Sequence, residues 1–256
     1  MDTAAYLNRI NYKGNLELTP DVLGALHYTH LLSVPFENLD IHLGREIILD
    51  ESRLFHKIVT ERRGGFCYEL NGSFAALLNN LGFKVDLLSA KVFQNGGYSP
   101  EFDHLILRVR LEDDWLVDIG FGDSFLKPLR LLDGEQQVQR GVAYRLARDA
   151  SGWELLSKGN QGDWERSYQF SLQPRQLSDF EGMCRYHQTS PESQFTQKQL
   201  CTRATLAGRI TISDRRLIVT ENGIRTEEIL EDEKAYLAAL DYYFAIRLPN
   251  APTSSR

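Results

Sequence analysis

The 256-residue chain has little cysteine: Cys67, Cys184 and Cys201 make an odd total with no CxxC pair, so neither a disulfide framework nor a cysteine-rich zinc site is expected. It also lacks any apolar run near the ~18 residues that a membrane span requires. Lysine and arginine form no basic block and the formal charge is −6, which argues against nucleic acid as a partner. There is no internal repeat and no long linker, so the regions are expected to pack as parts of one body. Met1–Ile10 carries Asp2 and has neither a basic start nor a continuous apolar stretch, which predicts a cytoplasmic protein without a secretory leader. What is present is ordinary globular composition, 42% hydrophobic and 25% charged, which excludes a disordered or low-complexity chain.

The hydrophobic period changes near Gly82. Before it, Thr19-Pro20-Asp21 is a helix start, with a capping hydroxyl, proline in the first turn and an acid beside it, followed by Val22, Leu23, Leu26 and His30 on one face. Val34-Pro35 ends that helix. A second helix is expected from Asp50 to Val59. A third runs from Phe66 through Leu70, Phe74, Leu77, Leu78 and Leu81, with Gly82 as its left-handed cap. After Gly82 come strand-like runs at 84–93, 105–111, 115–119, 142–146, 153–157, 168–172, 208–212 and 217–220, with Glu112-Asp113-Asp114 as a tight turn. A charged helix over 231–244 closes the pattern, and the segment after Leu248 is expected to fray.

Among the thiols Cys67 stands apart. Arg63-Gly64-Gly65-Phe66 leads into its helix and places the sulfur in the first turn, where free amides, the helix dipole and Arg62 or Arg63 favour an anion. The expected consequence is a lowered thiol pKa; the bland alternative is an inert packed cysteine, retained for Cys184 and Cys201. A nucleophilic cysteine needs a base, and the base needs an orienting group. His27 and His30, three residues apart with no third ligand evident, read as packing or surface residues. His104 opens a strand whose hairpin partner carries Asp118. With a three-residue turn between Leu111 and Trp115, Asp118 faces Arg108. Two-residue alternation then puts His104 on the same face, but four residues, roughly 13 Å, away. A bulge, a bend or a different turn must close that gap. A salt bridge to Arg108 is the alternative role for Asp118, and Asp103 and Asp123 are reserve orienting groups.

Arg63-Gly64-Gly65-Phe66-Cys67-Tyr68-Glu69-Leu70-Asn71-Gly72 resembles the active-site cysteine motif of arylamine N-acetyltransferases, and Val34-Pro35-Phe36-Glu37-Asn38-Leu39 resembles their upstream motif. Asp103-His104-Leu105-Ile106-Leu107 and Val117-Asp118-Ile119-Gly120-Phe121-Gly122 match the other two triad positions, and Phe170–Arg175 and Gln188–Pro191 also fit. The resemblance implies an α+β, papain-like fold: a helical bundle over 1–81 carrying the cysteine, a β-barrel over 82–190 carrying the histidine and aspartate, and an α/β lid over 191–256. It implies acetyl transfer from acetyl coenzyme A through an acyl-cysteine to aromatic amines, hydrazines or N-hydroxyarylamines, with Cys67, His104 and Asp118 catalytic and no metal. It places Phe36 in the amine pocket, with Phe121 and Phe125 as further wall candidates; ordinary core packing is the alternative for each.

Two features depart from the family pattern. Many relatives carry a small residue and threonine before the catalytic histidine, where this chain has Pro100-Glu101-Phe102-Asp103. The long interdomain insertion and tail of larger relatives are missing, which predicts a more open cleft. The coenzyme phosphates need a local basic patch, for which Lys91, Lys127, Arg130 and Arg209 are unranked candidates. Alternative functions are transfer of another acyl group such as malonyl, amide synthesis on the same fold, protease-like hydrolysis, and a binding module without turnover.

Overall fold

A computed structural model describes residues 1–159 and 162–248; the tail expected to fray beyond Leu248 lies outside the described residues. The helical part begins with α1 (Thr3–Arg9) and α2 (Pro20–Ser33), the latter capped by Thr19, whose side chain accepts from the Val22 amide at 3.3 Å. A two-residue strand, β1 (Phe36–Glu37), and a short helix, α3 (Leu39–His42), follow. The second expected helix divides into α4 (Glu51–Phe55) and a π-helical turn over His56–Thr60. The third, α5 (Cys67–Asn80), ends at Leu81 and turns through Gly82 at φ 99°, as its sequence predicts. No helix among the described residues is long and apolar enough to cross a membrane.

A curled sheet follows, built from β2 (Lys84–Gln94), β3 (Gly97–Tyr98), β4 (His104–Arg110), β5 (Asp114–Val117), β6 (Leu129–Arg130), β7 (Gln136–Gln139), β8 (Val142–Asp149), β9 (Gly152–Lys158) and β10 (Glu165–Phe170). Its order is β6-β5-β4-β2-β10-β9-β8-β7, with β3 on the end of β2, and it is nearly closed into a barrel. Period-two alternation divides β4 between two cores. Leu105, Leu107 and Val109 pack with the helices, whereas Ile106 belongs with Leu116, Phe125 and Tyr168 inside the curl.

The chain then forms α6 (Glu181–Thr189) and α7 (Gln194–Gln197), followed by β11 (Leu200–Ala204), β12 (Gly208–Ser213), β13 (Arg216–Glu221) and β14 (Ile224–Ile229). With β1 these four strands form a second, five-stranded sheet in the order β1-β11-β12-β13-β14, covered by α8 (Glu233–Phe244). Phe36 pairs with Thr202 and Glu37 with Cys201, so the N-terminal region supplies the sheet's edge. Phe180 and Cys184 pack into the helical core. The architecture is α+β.

Candidate active site

Cys67 is the first residue of α5, and the backbone before it is held from three sides. Phe36 bridges to Gly65, and the Glu37 amide donates to the Gly65 carbonyl at 2.9 Å. Gly64 lies so close to Pro35 that a Cβ would sit 1.9 Å from the Pro35 carbonyl oxygen, a contact that only glycine avoids. Glu69, one turn into the helix, accepts from the Phe66 amide at 3.1 Å. Behind this turn lies a buried ion cluster. The Arg63 guanidinium binds Glu37 at 2.8 Å and Asp40 at 3.0 Å, and the Lys57 ammonium binds Asp40 at 2.8 Å and Glu69 at 2.7 Å. Arg63 is thus committed to carboxylates and is no partner for the thiol.

His104 and Asp118 meet through a hairpin register different from the expected one. Arg108 pairs with Leu116 and Arg110 with Asp114, so the turn is Leu111-Glu112-Asp113, whereas Glu112-Asp113-Asp114 was expected. Moving the turn by one residue shifts the partner by two and keeps the face. Extending the ladder past Val117 puts Asp118 opposite Ile106, with His104 on the diagonal at ~7 Å, within side-chain reach. No bulge is required. His104 Nε2 and Asp118 Oδ2 are 2.8 Å apart. The other carboxylate oxygen, Oδ1, accepts from Asn71 Nδ2 at 2.9 Å and from the Gly120 amide at 2.9 Å. Burial alone would raise the Asp118 pKa, but His104, Asn71 and the Gly120 amide together hold it below the usual carboxylate range. Arg108, the alternative partner of Asp118, binds Asp86 and Asp114 instead.

With Nε2 held by the carboxylate, Nδ1 is the ring nitrogen left without a hydrogen-bond partner among the described residues, and His104 and Cys67 both line one cavity. That cavity has a volume of about 610 Å³. The strand end carrying Asp118 crosses the start of α5 closely: a Cβ on Gly120 would lie 2.8 Å from Cys67 Cα. The expected lowering of the thiol pKa is not what the structure gives. Burial pushes the Cys67 thiol up and the Asp103 and Asp118 charges add to that, outweighing the Leu105 backbone hydrogen bond. A lone thiolate is disfavoured here, so the thiol ionises favourably only together with a nearby cation.

Phe36 and Phe121 line the cavity; Phe125 does not. Phe125 stacks on His27 at 5.6 Å inside the second core, because it lies past the turn at Gly122 and points back into the curl. His27 itself is buried, with ring nitrogens 3.0 Å from the Leu126 carbonyl and 3.2 Å from that of Asp118. The reserve orienting groups are engaged elsewhere. Asp103 binds His187 at 3.0 Å, and Asp123 binds Arg209 at 2.9 Å. Of the basic candidates, Lys91 pairs with Glu101, Arg130 with Asp113 and Arg209 with Asp123. None of these three, nor Lys127, lines the cavity, although Arg209 donates to the carbonyl of Gly122, a lining residue.

Sequence reading missed three contributors. Asn71 follows Cys67 by four residues and so shares its helix face, a signal the spacing does contain. Phe195 lines the cavity with its ring 6.1 Å from Phe36 and 5.1 Å from His187. His187 joins Asp103 to Ser193, whose Oγ is 3.0 Å from His187 Nδ1; no local pattern relates residues 84 apart. The departure at Glu101-Phe102 also finds an explanation. Phe102 has φ 68°, a conformation usual for glycine, and is held by its amide on Ser89 Oγ at 2.7 Å and its ring against Phe180 at 5.3 Å.

A family model described as N-acetyltransferase matches residues 19–253. An arylamine N-acetyltransferase of Escherichia coli K12 is 35% identical over 251 residues, covering 96% of this chain and 89% of the relative. Among solved structures, the arylamine N-acetyltransferase of Salmonella typhimurium superposes with a TM-score of 0.91 at 30% identity, covering 99% of this chain and 94% of the other. The Mycobacterium marinum enzyme in complex with CoA gives 0.88 at 31% identity, covering 96% and 93%.

Proposed function

The chain belongs to the arylamine N-acetyltransferase family, whose members are acetyl-coenzyme A-dependent acyltransferases acting on arylamines, and from that premise we propose that its transfer runs through Cys67, His104 and Asp118. The observation that supports this most directly is the 2.8 Å contact between His104 Nε2 and Asp118 Oδ2 at the edge of the cavity that Cys67 lines. Asp118 fixes the tautomer with the proton on Nε2, so Nδ1 can take the Cys67 proton. The two charges then arise together as thiolate and imidazolium, which offsets the burial cost that opposes a lone thiolate.

The thiolate attacks the thioester carbonyl of acetyl coenzyme A. First-turn amides of α5, which have no intrahelical acceptor, are the proposed donors to the oxyanion. Collapse breaks the thioester bond, and the leaving coenzyme A sulfur takes the proton from His104. The amine then attacks the acetyl-cysteine carbonyl, His104 takes its proton, and collapse expels the Cys67 thiolate, which recovers that proton. Phe36, Phe121 and Phe195 form the aromatic wall for a neutral arylamine. Hydrazines and N-hydroxyarylamines are proposed as further acceptors, xenobiotic amines among them, and the cytoplasm as the site of action. In this reading residues 1–81 supply the nucleophile, 82–190 the base and its orienting acid, and 191–256 cover the cleft.

Peptide mass spectrometry after brief exposure to acetyl coenzyme A without amine is expected to find the acetyl group on Cys67 and not on Cys184 or Cys201. The Cys67→Ser variant is expected to retain its fold and lose transfer. Acetylation at another residue, or transfer undiminished in that variant, removes the assignment. A panel of acyl donors including malonyl coenzyme A, run against one arylamine, tests the acetyl preference.

A further inference from the structure

A small cavity of about 100 Å³ shares no residue with the active-site cavity and is lined by Arg9, Arg62 and Arg203 together with Asn11, Ser33 and Ala245. Among the described residues no carboxylate lines it. The three cations act on one another: burial lowers the Arg9 pKa to about 10, with the charges of Arg62 and Arg203 adding to that lowering.

Helix capping accounts for part of this arrangement. Arg9 donates to the carbonyls of Ile58 at 2.9 Å, Ser33 at 2.7 Å, and Arg62 and Arg63 at 3.2 Å each. Arg203 donates to Leu32 at 3.2 Å and Tyr243 at 2.7 Å, at the ends of α2 and α8. Arg9 is also the last residue of α1, and Ile58 lies in the π-helical turn; each of these four helix ends carries about half a negative charge, so together they offset about two of the three positive charges. The remainder has no counter-charge in the cavity. Arg203 Nε is buried without a partner, and the exposed Arg62 side chain forms no ion pair among the described residues.

The pocket is small, and although six backbone carbonyls accept from Arg9 and Arg203, Arg203 Nε and the Arg62 guanidinium have no hydrogen-bond partner among the described residues. A tetrahedral oxyanion occupies about two to three water volumes at ~30 Å³ each and fits where a nucleotide does not. We propose that this cavity binds a tetrahedral oxyanion of the phosphate or sulfate class, with Arg62 as its exposed clamp and the buried Arg9 and half-buried Arg203 as its positive wall. Because Arg9 also holds the Arg62 and Arg63 carbonyls, the anion sits against the loop that leads to Cys67.

Isothermal titration of the full chain with inorganic phosphate, and separately with sulfate, tests this against sodium chloride at matched ionic strength. The expected result is saturable binding that persists when coenzyme A is present. Arg62→Gln is expected to weaken it about tenfold, the loss of one charge-assisted contact, and Arg62→Lys to restore part of it. Adenosine 3′,5′-bisphosphate, run in parallel, is expected to give no Arg62-dependent binding, because a nucleotide exceeds the cavity; Arg62-dependent binding of it would overturn the assignment to the free anion. Heats no different from chloride, displacement by coenzyme A, or equal affinity in Arg62→Gln overturns the site.

Discussion

Asp118 concentrates the chemistry of single residues in this protein. It is 1% exposed, yet both carboxylate oxygens have hydrogen-bond partners, and only one of those partners is the histidine. Asp118→Asn keeps the volume and the contact to the Gly120 amide but presents a donor where His104 Nε2–H requires an acceptor. The ring is then driven to the other tautomer, with a proton on Nδ1 and no base toward Cys67. The acetylation rate of Cys67 is expected to fall by about 10³–10⁴, measured by single-turnover mass spectrometry with circular dichroism to verify the fold. A fall of less than about tenfold would move the orienting role to another group. Residue types and alternation make Asp118 and His104 legible in the sequence. Their contact is not, because it depends on whether Leu111 or Asp114 belongs to the turn, and in Leu111-Glu112-Asp113-Asp114 both choices supply polar turn residues. Phe125, a wall candidate with core packing as its alternative, takes the alternative, because apolar character does not say which of two cores a side chain enters.

At the scale of elements, the start of α5 owes its geometry to the cluster of Glu37, Asp40, Glu69, Lys57 and Arg63. Three carboxylates face two cations at hydrogen-bond distance, which leaves one negative charge over in a buried place. Glu69 takes the proton that offsets it: burial pushes its pKa up to about 7, against the pull of Lys57. A carboxyl whose folded pKa lies above its unfolded value binds more protons folded than unfolded, so stability declines as pH rises from ~4.5 to ~7 and is level beyond. The decline attributable to this group is of order 3 kcal/mol. Glu69→Gln cannot titrate. Urea unfolding across pH 5 to 8 is therefore expected to show the parent losing stability from this group while the variant does not, so that the variant gains on the parent as pH rises. A pH-independent difference would place the proton elsewhere. The helices were legible from Thr19-Pro20, the apolar run after Phe66 and Gly82, because caps and periodicity are local. The π-helical turn at 56–60 and β14 were not: all six residues of β14 are exposed, so no alternation marks the strand.

Charge decides behaviour at the scale of the whole molecule. The formal charge is −6, and three of the four basic side chains proposed for coenzyme binding already hold carboxylates. The coenzyme is itself a polyanion, so its approach from beyond a Debye length meets net repulsion, and recognition must come from close contacts within the cleft. The pairing of Phe36 with Thr202 and Glu37 with Cys201, more than 160 residues apart by their numbers, sets one wall of that cleft. Such pairing carries no local sequence signal, which is why an expectation of three parts comes only from resemblance, while many of the strands were readable from their own composition. Repulsion at long range has a sign that kinetics can read. Raising sodium chloride from ~20 to ~200 mM is expected to leave kcat/KM for acetyl coenzyme A level or to raise it by about twofold, because salt screens repulsion. A basic funnel gives the opposite response, a steep fall with salt. Lys127 has no ion pair among the described residues, so Lys127→Glu is the sharpest local control. If Lys127 lies on the coenzyme path, the variant raises KM for acetyl coenzyme A without lowering the amine step. If it lies off the path, the long-range effect of exchanging one positive for one negative charge is small and vanishes in high salt. A tenfold fall in kcat/KM with salt in the parent protein would show that a basic surface steers the coenzyme despite the acidic whole.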